Sequence, residues 1–247
     1  METSRGEFPN ESSGNVLVRA LRKWLLHRSH VVAVDSLSKN FRVIHLEGDD
    51  LQSLEWIPGH QIQITTGAGL MGRTYTPINW DRHRGRTSIL VYLHGNGPGS
   101  TWARTVRSGS SHDFLGPTRP LNVTLDEPLN LFGDETAFGL GLALRNAASA
   151  DLVPRFVFEV SDLQESQHVL ESFGLCDAVL IKRTEGDDHL TGAASRIFDH
   201  STAIHQIILS GNARSIQQIK KLKSAKADGI SRVIVKPYWS PGKTGMS

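Results

Sequence analysis

Cysteine is almost absent from this chain of 247 residues: Cys176 stands alone. A single thiol excludes an internal disulfide framework and any cysteine-cluster zinc site. Long hydrophobic runs are missing too. Stretches such as Ile89-Leu90-Val91 fall far short of the roughly 20 apolar residues that a membrane-spanning helix needs. No apolar stretch near Met1 resembles a secretory leader, so the sequence predicts a cytoplasmic protein without membrane insertion. Net charge is also scarce. The 27 Lys and Arg against 25 Asp and Glu give no argument for a nucleic-acid partner.

The near-neutral total conceals a polarised distribution. Asp113 to Asp177 holds eleven acids against three arginines, whereas Gly211 to Ser247 holds eight Lys and Arg against Asp228 alone. Such runs are usually solvated helix faces. An anionic ligand near the basic end is the sharper alternative.

Rhythm divides the chain. Residues 1–29 read as a polar tail, Met1 to Asn15, followed by a short basic amphipathic helix over Val16–His27. From 30 to about 125 short β-rich runs (Val31–Val34, Phe41–Leu46, His60–Thr65, Ser88–His94) alternate with Gly and Pro turn signals, which predicts an antiparallel β-barrel. From about 126 to 247 strands alternate with helices. Leu129–Phe132, Arg155–Val160, Ala178–Lys182, His205–Ser210 and Arg232–Lys236 are the strand candidates, with helices over Glu135–Ser149 and Ala213–Lys226. That alternation predicts a parallel Rossmann-like α/β sheet, and hence a two-domain protein.

Two segments carry chemistry. In Gly72-Arg73-Thr74-Tyr75-Thr76-Pro77 a guanidinium can grip two phosphate oxygens as a fork. Two residues on, a tyrosine ring points to the same side of a strand and can stack on an aromatic ring system. The Thr76 hydroxyl adds a donor or acceptor beside it. In Tyr92–Ala103 a strand runs into His94-Gly95-Asn96-Gly97-Pro98-Gly99-Ser100 and opens a helix at about Thr101. Glycines let backbone approach a ligand closely, and free N–H groups at a helix start suit a diphosphate.

Both segments resemble the siderophore-interacting protein family of the ferredoxin reductase-like superfamily. Phe132-Gly133-Asp134-Glu135-Thr136-Ala137 resembles that family's Gly-Asp-Glu-Thr-Ala turn, and Val235–Lys243 resembles its closing Tyr-Trp segment. Departures stand beside these. Ile78 and Asn79 replace an arginine that often follows the Tyr-Thr pair. Ser210-Gly211-Asn212-Ala213 replaces Gly-Glu-Ala, with Arg214 retained, and Pro237 precedes Tyr238.

The resemblance implies an FAD-binding barrel and an NAD(P)-binding-like second domain. It also implies passage of electrons from NADH, NADPH or ferredoxin to a ferric siderophore, with release of Fe(II). It assigns Arg73, Tyr75, Thr76, His94, Gly97, Pro98, Ser100, Trp102, Asp134 and Thr136 to the cofactor, with no catalytic residue beyond the flavin. A flavin reductase serving a partner protein and a non-catalytic ferric-siderophore binder stay open as alternatives. The basic residues Arg214, Lys220, Lys221 and Lys223 are the candidate substrate contacts, because several share one face of the last helix. Arg183 is the candidate clamp for a 2′-phosphate, although the acidic first crossover suits NADH better. The eleven histidines show no metal-ligand spacing, and no Ser/His/Asp pattern stands out.

Overall fold

The computed structural model describes residues 26–66, 72–198, 206–222 and 230–242. Seven strands form the first sheet: β1 (His27–Ser36), β2 (Phe41–Glu47), β3 (Gln61–Thr65), β4 (Gly72–Tyr75), β5 (Pro77–Asp81), β6 (Arg86–Tyr92) and β7 (Ser111–Thr118). All pairings are antiparallel, in the order β4-β3-β7-β1-β2-β6-β5. The two edges, β4 and β5, are consecutive in the chain and separated by Thr76 alone. One residue cannot bridge the width of a flat sheet, so the sheet curls until its edges meet at Thr76.

Alternation fills that curl. Ile44, Leu46, Ile62, Ile64, Ile89, Val91 and Phe114 face one core, inside the barrel. Phe41, Val43 and Leu90, the intervening residues of β2 and β6, join a second core together with the α/β domain. Ile89-Leu90-Val91 is an unbroken apolar run because β6 is buried on both faces.

The second sheet comprises β8 (Leu129–Asp134), β9 (Arg155–Val160), β10 (Val179–Lys182), β11 (Gln206–Asn212) and β12 (Arg232–Trp239), all parallel, in the order β10-β9-β8-β11-β12. Two short helices belong to the barrel, α1 (Asp50–Ser53) and α2 (Pro98–Thr105). Around the parallel sheet lie α3 (Phe138–Ala147), α4 (Leu163–Glu171), α5 (His189–Ile197) and α6 (Ala213–Leu222). Apolar positions of α3 and α4 pack in the core shared with the barrel, and those of α5 and α6 form a third core on the opposite face. The strand order reverses between β8 and β11. The carboxyl ends of those strands, at Asp134 and Asn212, are where such a sheet opens a ligand crevice.

The two sheets are stitched together. Asn40 donates from its backbone N and its Nδ2 to the two Glu165 oxygens, at 2.8 and 2.9 Å. Lys236 Nζ donates to the carbonyls of Gly59 (2.6 Å) and Arg119 (2.8 Å).

The structure departs from the sequence expectation at several elements. The expected helix over Val16–His27 lies outside the described residues up to Leu25, and His27 already belongs to β1. α2 opens at Pro98, with Gly97 as its N-cap, rather than at Thr101. Proline has no N–H to lose, so it suits a first helical position. β5 and β7 were not expected, nor were α4 and α5.

Candidate functional site

A cleft of about 230 Å³ opens at the seam, between β4, the start of α2 and the carboxyl end of β12. It is walled by both domains.

The barrel supplies Arg73 and Tyr75. They are two residues apart on β4 and stand opposite Ile64 and Ile62, so both project from the same face. The Tyr75 ring rests against Trp102, centroids 5.7 Å apart. Burial pushes the Tyr75 phenol above its ordinary value, against the opposing pull of Arg73, so it stays neutral. Arg73 Nη1 donates to the Gly72 carbonyl (2.8 Å), and among the described residues the guanidinium forms no ion pair.

α2 supplies the floor. Its first intrahelical bond runs from Thr101 N to Gly97 O (2.9 Å), so the N–H groups of Gly99 and Ser100 have no intrahelical acceptor. A Cβ on Gly99 would meet the Tyr75 hydroxyl at 2.8 Å and Arg73 Cγ at 3.1 Å, so this glycine lets the helix press onto β4. Gly97 differs. Its φ of −64° is open to any residue, and a Cβ there would meet nothing within 4 Å. Neither backbone φ nor protein packing demands glycine, and Gly97 stands exposed at the rim of the cleft.

The α/β domain closes the far side with Thr136, Gly139, Pro237, Tyr238 and Trp239. Thr76 and Tyr238 share a hydroxyl–hydroxyl bond of 2.5 Å across the seam. His94 lies between Tyr92 (5.8 Å) and Trp239 (5.7 Å). Burial lowers its pKa, Arg104 and Arg183 lower it further, and Glu135 opposes, so the imidazole is neutral near pH 7.

Residues 62–121 match the model of the siderophore-interacting FAD-binding domain. The match covers 60 of the 247 residues and falls on the barrel. A siderophore utilization protein from T. fusca superposes with a TM-score of 0.72 at 20% identity, over 90% of this chain and 95% of that one. The siderophore-interacting protein SipS from Aeromonas hydrophila gives 0.68 at 20% identity, over 88% and 92%. A ferredoxin-NADP+ reductase variant from Plasmodium falciparum gives 0.62 at 11% identity, over 85% and 95%. At these identities the likeness establishes the fold, which is the ferredoxin reductase-like pair of an antiparallel barrel and a parallel α/β sheet. No curated protein matches the sequence.

The residues assigned to the cofactor from the sequence do not all behave alike. Arg73, Tyr75, Thr76, His94, Gly97, Pro98, Ser100 and Thr136 line the cleft. Trp102 does not. It is 6% exposed inside the barrel core, because the Tyr75 ring stands between it and the cleft. The Ser100 hydroxyl is spent on the His94 carbonyl (2.8 Å), leaving its backbone N–H as the donor. Asp134 is 1% exposed and sits behind the wall, where it accepts from Thr136 N (2.9 Å), Thr136 Oγ1 and Trp239 Nε1 (2.6 Å).

The expected basic contacts are elsewhere. Arg214 pairs with Asp187 (2.7 Å). α6 leaves the carboxyl end of β11 and runs back along the sheet, so Lys220 and Lys221 in its last turn lie roughly 10 Å down the axis from the crevice. Lys223 lies outside the described residues. Besides Arg73, the cation that reaches the cleft is Arg119, unassigned from sequence; only its place two residues after Gly116-Pro117 hinted at it. Arg183 is no clamp either. It holds Glu135 (2.9 Å) and Ser161 Oγ (2.7 Å), with Glu159 at 3.8 Å.

Two further groupings bear on chemistry. Asp35, His45 and Ser88, unrelated in sequence, form a row across β1, β2 and β6, with His45 2.9 Å from Asp35 and 2.8 Å from Ser88. β6 is paired on both sides by β2 and β5, so its amides are committed and none is left to hold an oxyanion. The row ties strands together. Among the described residues no three His, Cys, Asp or Glu side chains gather as a metal site, and no helix is long and apolar enough to cross a membrane.

Proposed function

We infer that the protein is an FAD-dependent oxidoreductase passing electrons from NADH, NADPH or a ferredoxin to ferric siderophores, from which iron leaves as Fe(II). The observation that carries this is the match of residues 62–121 to a siderophore-interacting FAD-binding domain, together with a cleft that presents Arg73 with no ion pair among the described residues. In this reading the barrel, residues 30–125, holds FAD, and residues 126–247 face the electron donor.

These residues fit the cofactor. Arg73 and the amides of Gly99 and Ser100 would hold its diphosphate, Tyr75 would offer a ring face, and Thr76 with Tyr238 would flank the ring edge. FAD, when bound, supplies the redox chemistry, accepting two electrons and releasing them singly. The chain contributes orientation, charge and exclusion of water, and needs no nucleophile. Arg183 is already engaged by Glu135 and Glu159, so a 2′-phosphate lacks its usual arginine, which favours NADH over NADPH.

The test begins with an absorption spectrum of the purified protein, reconstituted with FAD where necessary. Anaerobic NADH, NADPH and reduced ferredoxin follow, then ferrozine detection of Fe(II) from a ferric siderophore. A colourless chain that cannot be reconstituted overturns the reading. A flavin that is reduced yet yields no Fe(II) points to a partner-protein acceptor instead, and siderophore binding without turnover points to a binder.

Two predictions accompany this. Gly97→Val is expected to weaken FAD at least about tenfold with the melting temperature of the FAD-free protein little changed, because it adds bulk at the rim of the cleft where a Cβ meets no protein atom within 4 Å. Equal FAD affinity by fluorescence titration would place the cofactor elsewhere. Arg119→Glu is expected to raise KM for an anionic ferric siderophore several-fold at low ionic strength, while the double change of Lys220 and Lys221 to Glu leaves it unchanged. The reverse pattern would restore the α6 cluster as the substrate contact.

A further inference from the structure

Asp134 ends β8 at the point where the strand order reverses, facing Gly211 of β11. Gly211 has φ +86°, and a Cβ on it would lie 2.6 Å from the Asp134 carboxyl carbon, so the carboxyl is fitted against bare backbone. Its three donors, the Thr136 backbone N–H, the Thr136 hydroxyl and the Trp239 indole N–H, belong to two residues that both line the cleft. Asp134 forms no ion pair among the described residues. It is therefore a buried carboxyl without a direct cationic partner, with Arg183 acting on it only at longer range, and it is separated from the cleft by one side chain on either path.

Its surroundings are mostly of one sign. Glu135 follows it, and Glu159 stands opposite on β9. Arg183, beyond β10, is held by those two glutamates, and His189 on α5 closes the cluster through Glu159 at 2.7 Å. Tyr238 on β12 is neutral, raised above its ordinary value chiefly by burial. Burial raises Asp134 to about 6; the hydrogen bonds from Thr136 and Trp239 pull it down, while Glu135 and Glu159 push it up. The carboxyl is thus ionised at neutral pH but close to taking a proton.

We propose that Asp134 is the proton-coupled group of the cleft, taking up one proton from solvent when the ring bound there is reduced and returning it when the electrons leave. The proposal rests on the reading of the cleft as an FAD site. The balance is explicit. A hydride donor of the pyridine nucleotide class, or dithionite in the experiment, delivers two electrons; one proton goes to the ring, which is left with one negative charge. Asp134, facing that new charge across a poorly screened interior, binds a second proton and cancels it. Two single-electron transfers to Fe(III) remove the charge, and both protons return to water.

Asp134 acts through Thr136 and Trp239 and is a positioning residue. The experiment is a spectroelectrochemical titration of the FAD-loaded full chain between pH 5 and 8. Over a window opening near pH 6, the reduced-to-oxidised ratio at fixed ambient potential is expected to change about 100-fold per pH unit, two protons per two electrons. Above the window it should change about tenfold, one proton per two electrons. Asp134→Asn should remove the added proton, giving about tenfold where the wild type gives 100-fold. Trp239→Phe, which deletes one donor to the carboxylate, should move the steep window to higher pH, a shift that a purely structural role for Asp134 would not produce. If Asp134→Asn fails to fold, the Trp239→Phe shift decides. A chain that binds no FAD overturns the cleft assignment and this proposal together. A flavoprotein whose pH dependence is the same in wild type, Asp134→Asn and Trp239→Phe overturns the proton coupling alone.

Discussion

Arg73→Ala is expected to weaken FAD binding about tenfold to a hundredfold, the loss of roughly 1.5–3 kcal/mol that a charge-assisted hydrogen bond represents. Without a ligand Arg73 contributes little to the fold. Among the described residues its hydrogen bond is to the neighbouring Gly72 carbonyl, and a Cβ on Gly99 would lie 3.1 Å from its Cγ. Protein stability therefore changes little when it is removed, and the effect appears in cofactor affinity. Arg73→Lys should recover only part of it, because an ammonium keeps the charge but cannot present two parallel N–H groups. The deficit should also shrink as salt screens the diphosphate. Titration of the FAD-free protein with FAD, followed by flavin fluorescence, measures all three. An alanine variant within twofold of wild type would show that the diphosphate lies elsewhere, and the α2 amides would lose their partner role too.

What the sequence made legible was local. Strand alternation placed Arg73 and Tyr75 on one face, and a glycine-rich loop before a helix marked α2, because both depend on residues close in the chain. Helix phase and helix direction were harder. Trp102 sits on the helix that borders the cleft yet turns into the barrel, and Lys220 and Lys221 sit on α6 but at the end away from the crevice. A charge count along the chain has no sense of direction, whereas the β11–α6 crossover fixes it. β5 and β7 were hidden for a related reason. Gly116-Pro117 reads as a turn, yet it lies within β7. β5 follows β4 after Thr76 alone, so no turn signal separates them.

The contacts that complete the site were not legible at all. Thr76 meets Tyr238 across 162 residues and Asp134 meets Trp239 across 105. Arg183 lost its expected role for the same reason. Glu135 and Glu159 are 48 and 24 residues away in sequence, and only the parallel register of β8 and β9 brings them to it. Composition showed an acidic stretch; the fold turned part of it into a buried network that neutralises its own arginine.

Phe138→Ala should destabilise the fold most. Phe138 is fully buried at the start of α3, stacked on Phe41 of β2 (5.5 Å, 6° between planes) and edge-on to Phe158 of β9 (4.8 Å, 63°). One ring thus joins barrel, helix and parallel sheet inside a single core. Deleting a buried phenylalanine costs about 3–5 kcal/mol, and the two aromatic contacts place this site toward the upper end. For a chain of this size that corresponds to a fall in melting temperature of roughly 6–20 °C. Because the core is shared, the far-ultraviolet signal of the helices and the tryptophan fluorescence, to which Trp56, Trp80 and Trp102 of the barrel contribute alongside Trp24 and Trp239, should melt together, in the variant as in the wild type. FAD affinity should fall as well. The next residue, Gly139, presses against the Thr76 carbonyl, which a Cβ there would meet at 3.1 Å, so any settling of α3 into the void displaces the cleft wall. Leu222→Ala, at a position 41% exposed, is the control and should shift stability by no more than about 0.5 kcal/mol. Two separate transitions, with the barrel signal unmoved by Phe138→Ala, would show that the domains hold themselves together independently and that Phe138 serves only one of them.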